Sequence, residues 1–325
     1  MTDPALTFEG RLRLQGDWGA FNLTRVCGWL SFWVYQQTVH HRRSLISTGR
    51  GMGDSFRALG EGLVDVAIAT PASFARLAHQ GLGPFAGRAI PQLRAIAVLP
   101  HQDAMIAVAR ADLGFTQLSD AAAHPGSLRI SLGTNDPDGF MGFAGDLLLE
   151  SAGVDLTAIE ANGGTVTRHE QPFDAIADLR EGRADIMVSE AIMTPDWTRL
   201  ATTTEVTFLP VTADQQEWLA GNFGLGIVEV AAGYFPGLPN PLPALDYAGW
   251  IIATTDALPD ADAALLARAV VENSEVLAAQ YRHLPADRSP LAYPITVRDA
   301  RATPIPLHPA AATIYDRFEQ GHLPG

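Results

Sequence analysis

Two short stretches gather the residue types that hold a small polar ligand. In Thr48-Gly49-Arg50-Gly51-Met52-Gly53-Asp54, three glycines in seven residues surround one guanidinium, and Ser55 opens the helix that follows. Glycine lets backbone come close to a ligand, a helix start leaves amides unpaired, and an arginine adds a charge-assisted bond to a carboxylate. A tight turn with no ligand explains the glycines equally well. The second stretch, Gly133-Thr134-Asn135-Asp136-Pro137-Asp138-Gly139, runs from the end of an apolar strand into an amphipathic helix expected from Phe140 to Ser151. Asp136 and Asp138 are calcium-type oxygen ligands, but the ligand series and closing Glu of an EF-hand are missing, so no metal is expected. Ser189-Glu190 closes another apolar run, and Glu190 is either a hydrogen-bond acceptor for a ligand or an exposed loop residue.

Catalysis needs a nucleophile or base with a positioned partner. The candidates are His40, His101, His169, Glu190 and Cys27, and none stands in a recognised local catalytic spacing. His169 beside Glu170 reads as a surface pair at a helix start. Cys27 follows Val26 on an apolar helix and reads as a packed core thiol, and a single cysteine excludes an internal disulfide. No cofactor is expected. With 22 Lys+Arg against 36 Asp+Glu and a formal charge of -14, a nucleic-acid backbone would be repelled. His40-His41-Arg42-Arg43, the longest basic run, reads as the solvated end of a helix. No stretch is apolar enough to span a membrane, so no direct membrane insertion is expected. The N-terminal residues lack the basic start and apolar stretch of a secretory signal, which taken alone places the chain in the cytoplasm.

The elements that must position these residues are organised by a pattern that occurs twice. Leu59-Gly60-Glu61-Gly62-Leu63-Val64-Asp65 precedes the run Val66 to Ala69, and Leu179-Arg180-Glu181-Gly182-Arg183-Ala184-Asp185 precedes Ile186 to Val188. Each reads as a helix ending at a left-handed glycine and turning through an Asp into a buried strand. The corner itself reads as structural. Two copies in one register, in 325 residues, predict two α/β lobes. The expected division is 1–107 with 248–325 as one lobe and 108–247 as the other. Strands are expected at Arg11 to Gly16, Ser44 to Ser47, Leu93 to Leu99, Ala104 to Ala109, Leu128 to Leu132, Thr207 to Val211 and Tyr247 to Ala253. Helices are expected from Ala20 to Thr38, with Asp17 as its cap, directly after Thr70-Pro71, from Gln215 to Leu219, from Asp260 to Tyr281 with Val276 on the buried side, and from Ala310 to Gln320. Residues 234–243, rich in proline and glycine, read as an irregular surface crossing.

The order of parts resembles the TAXI-family solute-binding subunits of tripartite ATP-independent periplasmic (TRAP) transporters over nearly the whole chain. Thr48 to Ala67 is similar to that family's Thr-Gly-Gly-Ser turn followed by Leu-x-x-Gly-x-x-Asp, Gly133 to Gly139 to its second glycine-rich turn, and Leu179 to Asp185 to its second Leu-x-x-Gly-x-x-Asp. Gly81 to Phe85, Tyr234 to Leu238 and Ile305 to Ala310 resemble its Gly-Pro-Phe, Tyr-Pro-Gly and Pro-Leu-His-Pro-Gly-Ala segments. The chain departs from the pattern at Arg50, Met52 and Ser55 in the first turn, and at Trp18, Phe21 and Asn22 in the first loop. The family's secretion leader is also missing.

The resemblance implies a periplasmic-binding-protein-like (type II) two-lobe clamp, each lobe a mixed sheet flanked by helices, with a ligand cleft between lobes. It implies capture of a small organic acid or amino acid, TRAP membrane subunits as partners and an extracytoplasmic location. Within such a clamp, helix starts at Ala20, Ser55 and Phe140 would offer amides to a carboxylate, with Arg50 beside them. Trp18, Phe21, Met52 and Phe140 would supply apolar walls. Asn22, Thr70, Thr134, Asn135, Asp136, Gly139, Ser189 and Glu190 complete the expected ligand-binding set. The alternatives are a cytoplasmic ligand sensor or enzyme on the same fold, or an interaction subunit whose cleft is plugged by Trp18 and Met52.

Overall fold

The computed structural model describes residues 10–17, 22–51, 53–124, 126–136, 139–192 and 194–321. The chain forms two compact units, Met1–Gln102 with Ala248–Gly325, and Asp103–Tyr247.

The first unit is built on a five-stranded mixed sheet. Its strands are β1 (Leu12–Gly16), β2 (Ser44–Thr48), β3 (Val66–Ala69), β4 (Leu93–Leu99) and β12 (Trp250–Thr255), in the order β2-β1-β3-β12-β4. β1 runs parallel to β2 and β3, and β12 runs antiparallel to β3 and β4. The all-apolar Val66 to Ala69 is buried throughout, as a strand covered on both faces must be. Helices α1 (Asn22–Gln37), α9 (Asp260–Ala279) and α11 (Pro309–Glu319) bury their apolar sides against this sheet. Trp29 and Trp33 of α1 donate their indole N–H groups to the Asn273 and Leu265 carbonyls of α9, at 3.1 and 2.9 Å, so large rings enter the core with their polar atoms satisfied. Cys27 lies in this core, where burial pushes its thiol up to about 12. That is a packing thiol, not a nucleophile. Val276, expected inward, is half exposed on α9. The remaining helices of this unit are α2 (Asp54–Gly60), α3 (Phe74–Gln80) and α10 (Val297–Arg301). α3 starts three residues later than Pro71 suggested, and Pro71 precedes it as part of a turn.

The second unit has seven strands: β5 (Ala104–Arg110), β6 (Arg129–Gly133), β7 (Thr165–His169), β8 (Ile186–Glu190), β9 (Val206–Leu209), β10 (Ile227–Val230) and β11 (Leu242–Asp246). Their order is β10-β11-β5-β8-β6-β7, with β9 also pairing β5. Because β5 pairs with β8, β9 and β11, the division between units falls at 102/103, ahead of this strand. Helices α4 (Phe143–Ser151), α5 (Leu156–Ala161), α6 (Pro172–Arg180), α7 (Thr194–Thr203) and α8 (Ala213–Phe223) accompany the sheet. The core gathers Trp197, Phe208 and Phe235, with Phe208 and Phe235 stacked at 5.7 Å.

The expectation of an irregular crossing through Pro243 is corrected, since Leu242–Asp246 is a strand between β10 and β5. Proline is tolerated because β11 meets β5 only at Leu245 and Asp246, so no ladder bond is asked of the missing N–H on that side. Among the described residues no helix is long and apolar enough to cross a membrane.

Candidate functional site

The repeated corner is the same structure in both units. In the first, the Arg13 amide and Nε donate to Asp65 Oδ2 at 2.8 and 3.1 Å, Nη2 donates to Oδ1 at 2.5 Å, and Nη1 reaches the Gly62 carbonyl at 2.8 Å. In the second, Arg129 makes the corresponding four bonds to Asp185 and the Gly182 carbonyl, at 2.9, 3.0, 2.5 and 2.5 Å. Gly62 and Gly182 take φ of 68° and 70°, which a side chain resists. The Asp therefore ties the incoming strand to its parallel neighbour through a forked ion pair. A recess of about 560 Å³ in the first unit lies on this corner, lined by Arg13, Arg42, Asp65 and Asp262. Arg13–Asp65 and Arg42–Asp262 close there at 2.5 Å, so these four charges answer one another.

The opposite, C-terminal strand ends carry the loops singled out above. In the first unit Asp17 follows β1 and is completely buried. Its carboxylate accepts from the Gly53 amide at 2.6 Å and the Ser55 amide at 3.0 Å. Asp17 thus closes the N-terminus of α2, in place of the expected cap on the helix that directly follows it. Burial raises its pKa to about 6, with the two amides opposing the shift. The Ser55 amide is consequently engaged, and the expectation that it faces a ligand carboxylate is corrected. Its hydroxyl accepts from Gln15 Nε2 at 3.2 Å. Gly49 packs so closely that a Cβ would stand 2.6 Å from the Asp17 carbonyl oxygen. Arg50 is exposed, with its amide donating to Asp54 Oδ2 at 3.2 Å. Asn22 Oδ1 accepts from the Tyr281 hydroxyl at 3.2 Å. Trp18, Phe21 and Met52 lie outside the described residues, as does the helix start expected at Ala20.

Thr70, at the end of β3, is 9% exposed, and its hydroxyl has no hydrogen-bond partner among the described residues. The Ser73 hydroxyl three residues on is in the same state. Buried hydroxyls are ordinarily paired, and an orphan costs about 1–3 kcal/mol.

In the second unit the loop after β6 is closed on itself. The Thr134 amide donates to the His169 carbonyl, the Gly142 amide to the Thr134 carbonyl, and the Asp136 amide to the Gly139 carbonyl. The Gly139 amide in turn donates to Asp136 Oδ1 at 2.8 Å. Asn135 Nδ2 donates to Asp146 at 2.6 Å, and Arg168 joins Asp146 to the Gly133 carbonyl. α4 begins at Phe143, three residues beyond the expected start, and Phe140 is buried at 2% exposure. Phe140 is therefore a core side chain and not the start of an open helix N-terminus, which corrects its expected role. The segment remains outside the helix because the close approach of Gly142 to the Gly133 carbonyl must be reached first.

Glu190 is buried at 5% exposure at the end of β8, which settles its two open readings against an exposed loop residue. No hydrogen bond from a described residue reaches its carboxyl. Burial raises its pKa well above the ordinary carboxylate value, and the nearby Asp103 adds to the shift. With Ser189, Met105, Met141, Gly133, Gly142, Gly145, Ala175 and Val188 it lines a cavity of about 20 Å³. Thr70 and Glu190 each stand five residues after the corner Asp, at 65 and 185, so the two copies of the corner lead to buried polar side chains at the same place.

The remaining catalytic candidates fall into structural settings. His101 is buried, with Nδ1 on the Pro290 carbonyl at 2.6 Å and its ring stacked on Trp250 at 4.7 Å. His40 is exposed. His169 does not pair with Glu170 at a helix start, since its Nε2 meets Asp178 at 2.6 Å. Asp178 also accepts from Ser131 at 2.9 Å and Arg183 at 2.7 Å. The carboxylate stands between serine and histidine, so the imidazole has no hold on the hydroxyl proton and a Ser-His-Asp relay is not formed. Sequence reasoning missed Asp17 as a buried acid, Asp103 beside Glu190 and the Asp178 centre, because each pairing joins residues far apart in the chain or on different elements. Among the described residues no cluster of metal-ligating side chains occurs.

Three solved structures share this fold. A Xanthomonas citri protein bound to a chloride ion matches with a TM-score of 0.52 and 12% identity, over 96% of this chain and 99% of its own. MatC from Rhodopseudomonas palustris with bound malate matches at 0.51 and 13%, over 96% and 99%. A TctC solute-binding protein from Polaromonas matches at 0.50 and 14%, over 97% and 100%. No curated protein matches the chain in sequence. The two mixed sheets have the fold of the periplasmic solute-binding proteins, and the model of the NMT1-like family matches residues 33–321. The chain belongs to the NMT1-like family.

Proposed function

We propose that the protein is a non-catalytic solute-binding subunit that captures a small organic acid or amino acid. The observation that carries this reading is the pair of equivalent strand ends, where the Thr70 hydroxyl, without a hydrogen-bond partner among the described residues, and the Glu190 side chain are both buried. A fold tolerates such groups at a cost, and a bound solute removes it by supplying the missing partners. Arg50, exposed beside the first glycine loop, offers a cation to an anionic ligand. Thr134, Asn135, Asp136 and Gly139 then act as a braced wall, since their mutual bonds leave the loop little freedom. Ligand contacts stabilise whichever conformation makes more of them, and that differential affinity is the basis of a binding-protein switch. The resemblance to TAXI subunits supports an extracytoplasmic location and TRAP-type membrane subunits as the partners that receive the solute.

Thermal unfolding against a panel of carboxylic acids and amino acids tests the reading. A solute at about 100 times its Kd should add roughly 2.7 kcal/mol, a shift of several degrees. Thr70→Val, which keeps the shape and removes the hydroxyl, should weaken that solute up to about tenfold. A panel that leaves Tm unchanged throughout would refute solute capture of this class.

A further inference from the structure

We propose that Glu190 anchors an ammonium or similar N–H-rich pole of the solute, so that the protein takes amines and amino acids in preference to the corresponding plain carboxylic acids. This rests on the solute-binding reading and narrows its substrate class.

Four observations in the second unit point the same way. Glu190 as a residue is only 5% exposed, and no hydrogen bond from a described residue reaches its carboxyl. A buried acid in that state is stabilised by a donor or a cation arriving from outside. The charge nearest to it is of the same sign, since Asp103 lies close enough to oppose its ionisation. Asp103 itself accepts from the Ala104 and Ile192 amides, two bonds that favour its charged form. A carboxylate approaching these two acids is disfavoured, while a cation favours the ionised form of both.

Size selects as well. The cavity beside Glu190 holds about 20 Å³, enough for one water-sized group. An ammonium or a terminal –NH2 has that size, whereas a carboxylate adds a second oxygen. Met105, Met141, Val188 and Ala175 form apolar walls, which strengthen a short charge-assisted bond by excluding water. Arg168, which donates to the Gly133 carbonyl, pairs with Asp146 at 2.9 Å. The amides that a carboxylate would use nearby are engaged too, Gly142 on Thr134 and Gly139 on Asp136.

The first unit points the same way. Its helix-start amides at Gly53 and Ser55 are already filled by the chain's own carboxylate, Asp17. The position that would most readily take a ligand anion there is occupied.

The test pairs each amino acid with its des-amino acid, for example alanine with propionate, glutamate with glutarate and norleucine with hexanoate, by thermal shift and calorimetric titration of the full chain. Wild-type protein should bind at least one amine-bearing member, with its des-amino partner at least tenfold weaker. Glu190→Gln should weaken the amine-bearing ligand tenfold or more while leaving the apo Tm equal or higher, because it removes an uncompensated buried acid. Des-amino acids that bind as tightly as their amino partners would overturn the proposal and leave solute capture standing. So would an unchanged amine affinity in Glu190→Gln, or a large loss of apo stability with no change in binding. Failure of every compound in both series would overturn this inference together with the reading it rests on.

Discussion

The two units agree at one end of their sheets and part company at the other. At the N-terminal ends of β3 and β8, Arg13–Gly62–Asp65 and Arg129–Gly182–Asp185 repeat the same four hydrogen bonds. Among the described residues, at the C-terminal ends the first unit buries an acid under two amides and leaves a hydroxyl unpaired, whereas the second buries an acid beside another acid. The corner solves a problem of folding that both units share, namely how a helix turns into a strand parallel to its neighbour. The loops at the other end are not shared, and each unit closes its strand ends in its own way.

The comparison is broken most strongly where backbone meets backbone. Gly142→Ala puts a Cβ into the Gly133 carbonyl, and neither backbone can move without disturbing β6. It should cost about 4 kcal/mol or prevent folding of the second unit. Gly49→Ala meets the Asp17 carbonyl at 2.6 Å beside a side-chain neighbour that can shift, and should cost less. Urea unfolding of the two variants measures the order, and equal costs would contradict the tighter approach in the second unit.

Titration separates the two strand ends with opposite signs. Asp17 has a folded pKa of about 6 against a reference of 3.8, so its stabilising contribution is full below about pH 4 and is lost as pH rises through 6. The stability of wild type relative to Asp17→Asn should fall by on the order of 3 kcal/mol between pH 4 and pH 7. Asp178 behaves in the opposite sense. Burial alone would raise it, but His169, Arg183 and Ser131 together hold it below the usual range, so its contribution is present above that range and is lost in acid. Amide hydrogen exchange as a function of pH, read separately over β1 to β3 and β6 to β8, distinguishes the two trends. A common trend in both units would show that the buried acids do not govern them.

The corner itself gives the smallest effect and the sharpest check of equivalence. Asp185 is more buried than Asp65, with side-chain exposures of 11% and 23%, and has Arg110 as a second cation at 3.7 Å. Asp185→Ala should cost about 2 kcal/mol and Asp65→Ala about half of that. Denaturation midpoints at constant m-value decide it, and a reversed order would mean that burial does not set the worth of this ion pair.

Much of this was legible from the residues. The glycine-and-aspartate repeat marked both corners, Val66 to Ala69 and Ile186 to Val188 read as buried strands, and Cys27 read as core. Asp17 was legible as a cap but not as the cap of α2, because the amide it holds at Ser55 lies 38 residues away. Phe140 and Val276 were misplaced for a related reason: a helical period shows which residues share a face, but a start displaced by a close glycine contact, or a face with no neighbour, is invisible in it. The strand holding Pro243 was missed because local composition argues for a loop, and only the pairing pattern of its neighbours makes proline harmless there.

By itself the sequence determined the periodicities, the turn residues and the doubled corner, since these depend on backbone conformation within a few residues. The tertiary structure decided which amides Asp17 consumes, which acid Glu190 faces and which hydroxyl is left unpaired at Thr70. Hydrogen bonding and desolvation act through space, so the same side chain becomes a cap, a structural partner or a ligand anchor according to what the fold brings within about 3 Å of it.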